Sequence, residues 1–389
     1  MLKYCVGIDV SKKDLQCCIS VIDPLQKVSV KASAKFANTK SGFPRLHQWI
    51  TNRHKQKEVP LVVVMEATGI YYEQIAMYLF KQQYSLSVVL PNKAKKYLQS
   101  TGLKSKNDQI DAQGLARMGA EQCLELWQPM DSYFYELREL TRQHQSLQEL
   151  KTSVTNQLHA SELGMYQSNL VVQQLKALII TVDGQIRALA TAIAKHIDQK
   201  VEVKQQVDNI CKIKGLGILT VAVILAETNG FALFENSRQL VSYAGYDVVE
   251  NQSGDHRGKT RISKKGNSRI RRALHMPAFC VVSNEQQPFA GLFNRTFERH
   301  GQKMKSYVAV QKKLLVIIYA LWKNNSAYEL NYKPNKHTGE EEQVLSSLPG
   351  LAQADPAAGQ KNSASLQQQA ALHKVNILSN DRSLLPLCL

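Results

Sequence analysis

Residues 59–66 run Val-Pro-Leu-Val-Val-Val-Met-Glu, a near-continuous β-branched stretch that ends in a carboxylate. A strand with no polar face must be covered on both sides, which places it inside a sheet flanked by helices. Residues 3–10, 14–22 and 28–36 read as three strands before it, the last two joined by the turn Asp23-Pro24. Residues 85–90 read as a further strand ending at Pro91. Helical spacing occupies residues 42–52, through Phe43, Leu46, Trp49 and Ile50, and then residues 72–82, 93–100 and 107–119. Three strands, then helix, strand, helix, strand and helix predict a ribonuclease-H-like α/β fold, with a meander followed by parallel crossovers.

Two of these strands end in acids. Asp9 closes the run Tyr4-Cys5-Val6-Gly7-Ile8, and Glu66 closes Leu61-Val62-Val63-Val64-Met65. Asp108 and Asp111 are three apart in a helical stretch and share one face. Gathered carboxylates repel one another unless a cation joins them, and Mg²⁺ takes hard oxygen ligands, with Mn²⁺ as a substitute. Two ions held by Asp9, Glu66, Asp108 and Asp111 would suit phosphoryl transfer, where attacking and leaving oxygens both need stabilising. A lone acid after a strand is usually a turn or cap residue. Asp14, Asp23 and Glu73 are read that way.

The charge of the chain supports a polyanionic partner. Among 389 residues, 49 Lys and Arg stand against 32 Asp and Glu, a net charge of +17. That balance favours nucleic acid. A membrane is not expected, because apolar runs such as Leu314-Leu315-Val316-Ile317-Ile318-Tyr319-Ala320-Leu321-Trp322 are too short to span a bilayer. No signal-peptide layout precedes the first strand. The seven Cys residues form no Cys-x-x-Cys pair and sit mostly in apolar segments. A reducing cytoplasm, without disulfides or a zinc site, is the expected setting.

The organisation then changes. Residues 1–130 hold the α/β pattern, and residues 131–206 turn to long amphipathic helices. Leu137, Leu140, Leu147 and Leu150, then Ile186, Leu189, Ile193 and Ile197, mark their apolar faces. Such helices form either an intramolecular bundle or a coiled-coil dimerisation arm, and the length favours the arm. Residues 207–330 form a third, mainly helical region. Its Ile213-Lys214-Gly215-Leu216-Gly217 turn resembles a helix-hairpin-helix element, with Lys214 facing nucleic acid, and equally suits a plain packing corner. Residues 331–389 are rich in Gln, Ala, Ser, Asn and Pro and read as a disordered tail.

The most basic stretch, residues 251–272, begins as a polar, glycine-containing loop and enters a helix at Ser268. It holds Ser253 beside Gly254, followed by Arg257, Lys259, Arg261, Lys264, Lys265, Arg269, Arg271 and Arg272. A serine in a polar loop is ordinarily just a loop residue. Here the cations around it could hold a phosphodiester against its hydroxyl. A serine that attacks phosphorus conserves the bond in a phosphoserine link, as a recombinase requires and a nuclease does not. The alternative for the basic run is a solvated, non-specific nucleic-acid surface.

Gly7-Ile8-Asp9-Val10-Ser11-Lys12, Glu66-Ala67-Thr68-Gly69-Ile70-Tyr71 and Lys106-Asn107-Asp108-Gln109-Ile110-Asp111-Ala112 resemble the signature blocks of a transposase family. It is the DEDD family of bacterial insertion sequences, the insertion-sequence 110 and 1111 groups, which includes the Piv-type DNA invertases. Further blocks resemble its C-terminal domain. These are Ile213-Lys214-Gly215-Leu216-Gly217, Tyr243-Ala244-Gly245, Ser253-Gly254, and Ile262-Ser263-Lys264-Lys265-Gly266-Asn267 leading into Arg271-Arg272-Ala273-Leu274. The resemblance spans residues 3–330. One departure is Tyr246-Asp247-Val248-Val249, where many relatives have a Leu-x-Pro-like continuation.

The resemblance implies a RuvC-like N-terminal domain with Asp9, Glu66, Asp108 and Asp111 as its metal tetrad, and Ser253 as the nucleophile. It implies a coiled coil pairing protomers into a dimer or tetramer, and an active site shared between subunits. It implies DNA as substrate and a structured guide RNA, or bridge RNA, as partner. Transposase and site-specific invertase share the same blocks. A hydrolytic junction nuclease, with Ser253 idle, and a non-catalytic nucleic-acid binder are the other readings.

Overall fold

In a computed structural model, the chain is described over residues 1–102, 107–250, 252–254, 256–258 and 261–329, with only the backbone at Gln252, His256 and Arg257. It divides into two compact units, the first within Met1–Pro129 and the second beginning at Met130. The first unit contains β1 (Lys3–Val10), β2 (Asp14–Ile22), β3 (Val28–Ala37), α1 (Gly42–Arg53), β4 (Leu61–Glu66), α2 (Glu73–Lys81), β5 (Ser85–Val89), α3 (Pro91–Ser100) and α4 (Asp108–Glu121). The sheet order is β3-β2-β1-β4-β5. β1 pairs antiparallel with β2 and parallel with β4, and β4 pairs parallel with β5. This is the meander-then-crossover order expected from the sequence.

The pleat assigns the two faces of the sheet. Val6, Ile8, Val63 and Met65 point into a core with Phe43, Leu46 and Ile50 of α1 and Ile75 and Leu79 of α2. Cys5 and Val64 point the other way, into a core with Leu115 and Met118 of α4. On β1, Gly7 lies on that second face, and its missing side chain lets α4 settle onto the strand. A methyl group there would overlap the carbonyl oxygen of Ala112 and the amide of Ala116. Gly119 plays the same part from the helix, against Cys5 and Val64.

The second unit opens with a helical hairpin, α5 (Ser132–Glu162) and α6 (Asn169–Asp198). Leu147, Val182 and Ile186 pack between the two helices. Lys151 pairs with Asp183 at 2.6 Å and Lys176 with Glu162 at 3.0 Å. Tyr133 and Leu137 of α5 and Ile193 and Ile197 of α6 join the main core of the unit. The hairpin is therefore rooted in that core. α6 also corrects the expectation on apolar length. It is long and apolar enough to cross a bilayer, with a mean hydropathy of 1.4 over its most apolar stretch. Its apolar residues spread beyond one stripe and are interrupted by polar ones, so they form no single long unbroken run.

The rest of the core comes from α7 (Val201–Cys211), α8 (Ile218–Thr228), α9 (Ser237–Tyr243), α10 (Ser268–Ala273), α11 (His275–Ser283), α12 (Phe289–His300) and α13 (Lys303–Lys323). Between α7 and α8, Gly215 adopts φ +97°, and a methyl group there would lie 2.5 Å from Cβ of Cys280. Ile213 and Leu216 are buried on either side. The stretch after α9 was expected to be loop. It instead forms two short ribbons, β6 (Val248–Val249) against β9 (Arg261–Ile262) and β7 (Gln252–Ser253) against β8 (His256–Arg257). The predicted tail, residues 331–389, lies outside the described residues.

Candidate active site

Asp9 and Glu66 come to one edge of the sheet because β1 and β4 run parallel in a register that sets Ile8 opposite Met65. Each follows its strand's alternation. Asp9 is two residues beyond Gly7 and Glu66 two beyond Val64, so both face the side covered by α4. α4 runs against β1, with Ala112 and Ala116 over Gly7 and Gly119 beside Cys5. Its first turn therefore lies toward the Asp9 end. Asp108 and Asp111 are in that turn, one helical turn before the sheet-facing, buried Ala112 and Leu115. The Asn107 side chain caps the helix by accepting from the Ile110 amide at 2.8 Å. Acids in a first turn also suit the positive end of the helix dipole.

Asp9, Glu66 and Asp111 are half-buried and Asp108 is exposed. The backbone thus places Asp9 and Glu66 on one rim, with the first turn of α4, which carries Asp108 and Asp111, lying toward it. Their side chains are not drawn around a point: among the described residues, no group of three or more His, Cys, Asp or Glu could hold an ion as it stands. By donor type, four carboxylates fit a hard divalent cation such as Mg²⁺ or Mn²⁺. A residue the sequence reading missed orders this rim. The Asn38 amide donates to the carbonyl of Ser11 at 2.9 Å and to that of Tyr71 at 3.1 Å, tying the loop after Asp9 to the loop after Glu66.

In the second unit, Ser253 is exposed at the end of β7, paired with His256 across a tight turn. Gly254 enters that turn at φ +55°. Such a φ suits glycine and strains most other residues. The base of the excursion is heavily bonded. Lys264 N donates to Gly245 O at 3.1 Å, Ser263 N to Asp247 O at 2.7 Å, and Asn267 N to Tyr243 O at 2.7 Å. Tyr246 is buried and donates its hydroxyl to Gln311 at 3.0 Å.

The predicted cations divide into two groups. Lys214, Arg261, Lys264 and Lys265 are exposed. Lys259 and the side chain of Arg257 lie outside the described residues. The others are engaged within the protein: Arg271 donates to Ala244 O at 2.8 Å, Arg272 pairs with Glu149, and Arg269 lies 3.9 Å from Glu227.

Glu227 was also missed. Its side chain is only 2% exposed, and it accepts two hydrogen bonds from Arg142 and one from Asn267 at 2.7 Å. Burial alone would raise its carboxyl pKa. Those hydrogen bonds, with the charges of Arg142 and Arg269, outweigh burial and hold it below the ordinary carboxylate value. Asn267 also caps α10, accepting from the amides of Arg269 and Ile270 at 3.0 and 3.3 Å. The local signs were there, one acid inside the apolar run of α8 and an Asn just before a helix, but neither names its distant partner.

Two family models match the chain. One, described as a transposase of the DEDD, IS110 type, matches residues 6–163. The other, described as the transposase IS116/IS110/IS902 family, matches residues 207–293. The pilin gene-inverting protein of Moraxella bovis is 28% identical over 332 residues, spanning 85% of this chain and 98% of that protein. Its counterpart in Moraxella lacunata is also 28% identical over 332 residues, with the same coverage. An uncharacterized 43.6 kDa protein of insertion element IS110 from Streptomyces coelicolor is 22% identical over 161 residues, 41% of this chain and 38% of that protein. Among solved structures, Thermus thermophilus RuvC bound to a Holliday junction substrate is 14% identical. It covers 30% of this chain and 93% of its own, with a TM-score of 0.25.

Proposed function

The chain belongs to the IS110 family of transposases, which takes in the pilin-gene-inverting relatives, and from this premise we propose how it cuts and rejoins DNA. Asp9, Glu66, Asp108 and Asp111 hold divalent metal, and Ser253 is the nucleophile. The observation that supports this most is the parallel register of β1 and β4, which brings Asp9 and Glu66 to the same end of the sheet, with the first turn of α4 lying toward that end. Magnesium bound there would polarise the scissile phosphate.

The serine's own chemistry is simple to balance. The Oγ of Ser253 bonds to phosphorus as the P–O bond to one strand end breaks, and the serine proton leaves with that strand's hydroxyl. Attack by a hydroxyl of the incoming strand reverses the step and returns the proton to Ser253. The exposed cations Arg261, Lys264 and Lys265 near the ribbon neutralise the backbone phosphates. A RuvC-like acidic domain of one subunit would act with the serine domain of another, the α5–α6 hairpin serving as the arm that pairs them. A structured guide RNA would share the basic surface with DNA.

The test is covalent capture. On a nicked suicide substrate, the native chain should form a protein–DNA adduct that Ser253→Ala abolishes. An adduct that persists in Ser253→Ala removes the serine assignment. Cutting that persists in Asp9→Asn removes the acidic one.

The match to the Moraxella inverting proteins, over 98% of their length and 85% of this chain, favours a second reading, site-specific inversion. A plasmid carrying the gene with its natural flanks separates the two. An excised circle marks transposition, and a reversed segment marks inversion.

A further inference from the structure

The loop after Glu66 carries side chains that neither the fold nor the proposed chemistry uses. Ile70 is 70% exposed and Tyr71 41%, and Leu90, where β5 leaves the sheet, is 70% exposed. β4 and β5 pair up to Glu66 and Val89, and Ala67 N donates to Val89 O at 2.9 Å. The two loops therefore leave side by side, at the edge that bears Asp9 and Glu66. Ile70 and Tyr71, adjacent in sequence and exposed beside a charged site, call for a partner that covers them, whereas Leu90 leaves on the β5 side and Tyr71 is held toward Ser11 and Asn38.

The display is not slack. Asn38 holds the carbonyl of Tyr71 against the Ser11 loop. Thr68 N donates to Glu66 O at 2.9 Å and Tyr71 N to Thr68 O at 3.3 Å, with Gly69 at φ +57° making the turn. From behind, Tyr72 packs against the core of the sheet. Ile70 and Tyr71 are pushed outward by a loop fixed at both ends.

We propose that Ile70 and Tyr71 form a stacking platform for a nucleobase turned out of the duplex beside the phosphate to be cut. The proposal rests on reading the four acids as the cutting site. The occupant follows from chemistry. A phosphate and its base are joined through one sugar, so a strand lying against the acids must bring a base within reach of the neighbouring loop. An aromatic ring beside an aliphatic side chain suits the face of any base, and the Tyr71→Phe variant separates ring stacking from a hydroxyl contact to phosphate. Exposed Lys93, in the first turn of α3 just past Leu90, supplies a charge for the phosphate that follows.

Binding is measured for the full chain, without divalent metal so that no strand is cut. The probes are a paired DNA duplex and the same duplex with a short unpaired bubble carrying 2-aminopurine. The native chain should prefer the bubble and change the 2-aminopurine fluorescence. The double variant Ile70→Ala, Tyr71→Ala should lose about fivefold or more in bubble affinity, with paired-duplex affinity unchanged. Tyr71→Phe, which keeps the ring, should bind the bubble as the native chain does. A bubble preference that survives the double variant, an equal loss on both probes, or a loss in Tyr71→Phe would each overturn the platform. Asp9→Asn is run on the same bubble with Mg²⁺. If it still cuts, the acidic site is wrong while the binding result stands on its own.

Discussion

Arg142 and Glu227 meet through two parallel hydrogen bonds, Nε to Oε1 at 2.8 Å and Nη2 to Oε2 at 3.0 Å, joining α5 to α8. Asn267 reaches the same carboxylate from the end of the serine-bearing excursion. One buried acid thus ties the root of the helical hairpin to the base of that excursion. Arg142→Met leaves the carboxylate with Asn267 and the more distant Arg269, and should cost about 2–3 kcal/mol, less than a fully buried pair because the arginine is 37% exposed. Glu227→Gln keeps the shape and one acceptor, and should cost less. Urea denaturation measures both.

The same carboxylate gives stability a pH dependence of known sign. Its pKa in the fold lies below the ordinary 4.5. Its contribution is therefore complete above the unfolded value and is lost as pH falls through the folded value. Glu227→Gln should flatten the loss of melting temperature below about pH 4.5. An unchanged acid slope would show that other carboxylates carry it.

Gly7 governs the placement of acids it does not touch. Gly7→Ala would press a methyl group into the backbone of α4 at Ala112 and Ala116. The helix must lift, at a cost of about 1–3 kcal/mol or more, and carry Asp108 and Asp111 away from Asp9. DNA cutting should fall further than stability does. The control is Gly184→Ala on an exposed part of α6, where a methyl group meets nothing within 4 Å. It should stabilise the chain by about 0.5–1 kcal/mol.

Gly254 turns the ribbon directly after Ser253 at φ +55°. Gly254→Val would strain this turn by about 1–3 kcal/mol. Because the turn is exposed and outside the core, the strain should appear as lost DNA adduct, with little change in melting temperature. Adduct yield and thermal unfolding on the same sample decide it.

Thiol reagents should sort the cysteines by burial. Cys123 is exposed, whereas burial pushes the Cys5 thiol up to about 12 and the Cys17 thiol higher still. Burial also raises Cys211, to about 11. In the native state Cys123 should be alkylated well before these three, as mass spectrometry of the digested protein would show.

The sheet was legible because its signals are local. Apolar and β-branched runs, with acids at two strand ends, mark β1, β2 and β4 without reference to partners. The placement of the acid-bearing strand ends and of α4 was legible only as an order of elements. That Asp9 and Glu66 share a face depends on strand register, and the seating of α4 on that face depends on Gly7 and Gly119, residues that matter by what they lack. Asn38 and Glu227 were missed because their partners lie far along the chain, at Tyr71, Arg142 and Asn267. The polar stretch around Ser253 looked like loop because two-residue strands carry no periodicity to read.

The serine-bearing excursion starts and finishes at nearly the same point, Gly245 meeting Lys264 and Tyr243 meeting Asn267. A segment whose ends are stapled to each other is a cassette. Its tip can change length or be exchanged for that of a relative at small entropic cost, while Tyr246 and Ile270 stay seated in the core. Variation in what such a transposase recognises could accumulate there, leaving the helices that carry it undisturbed.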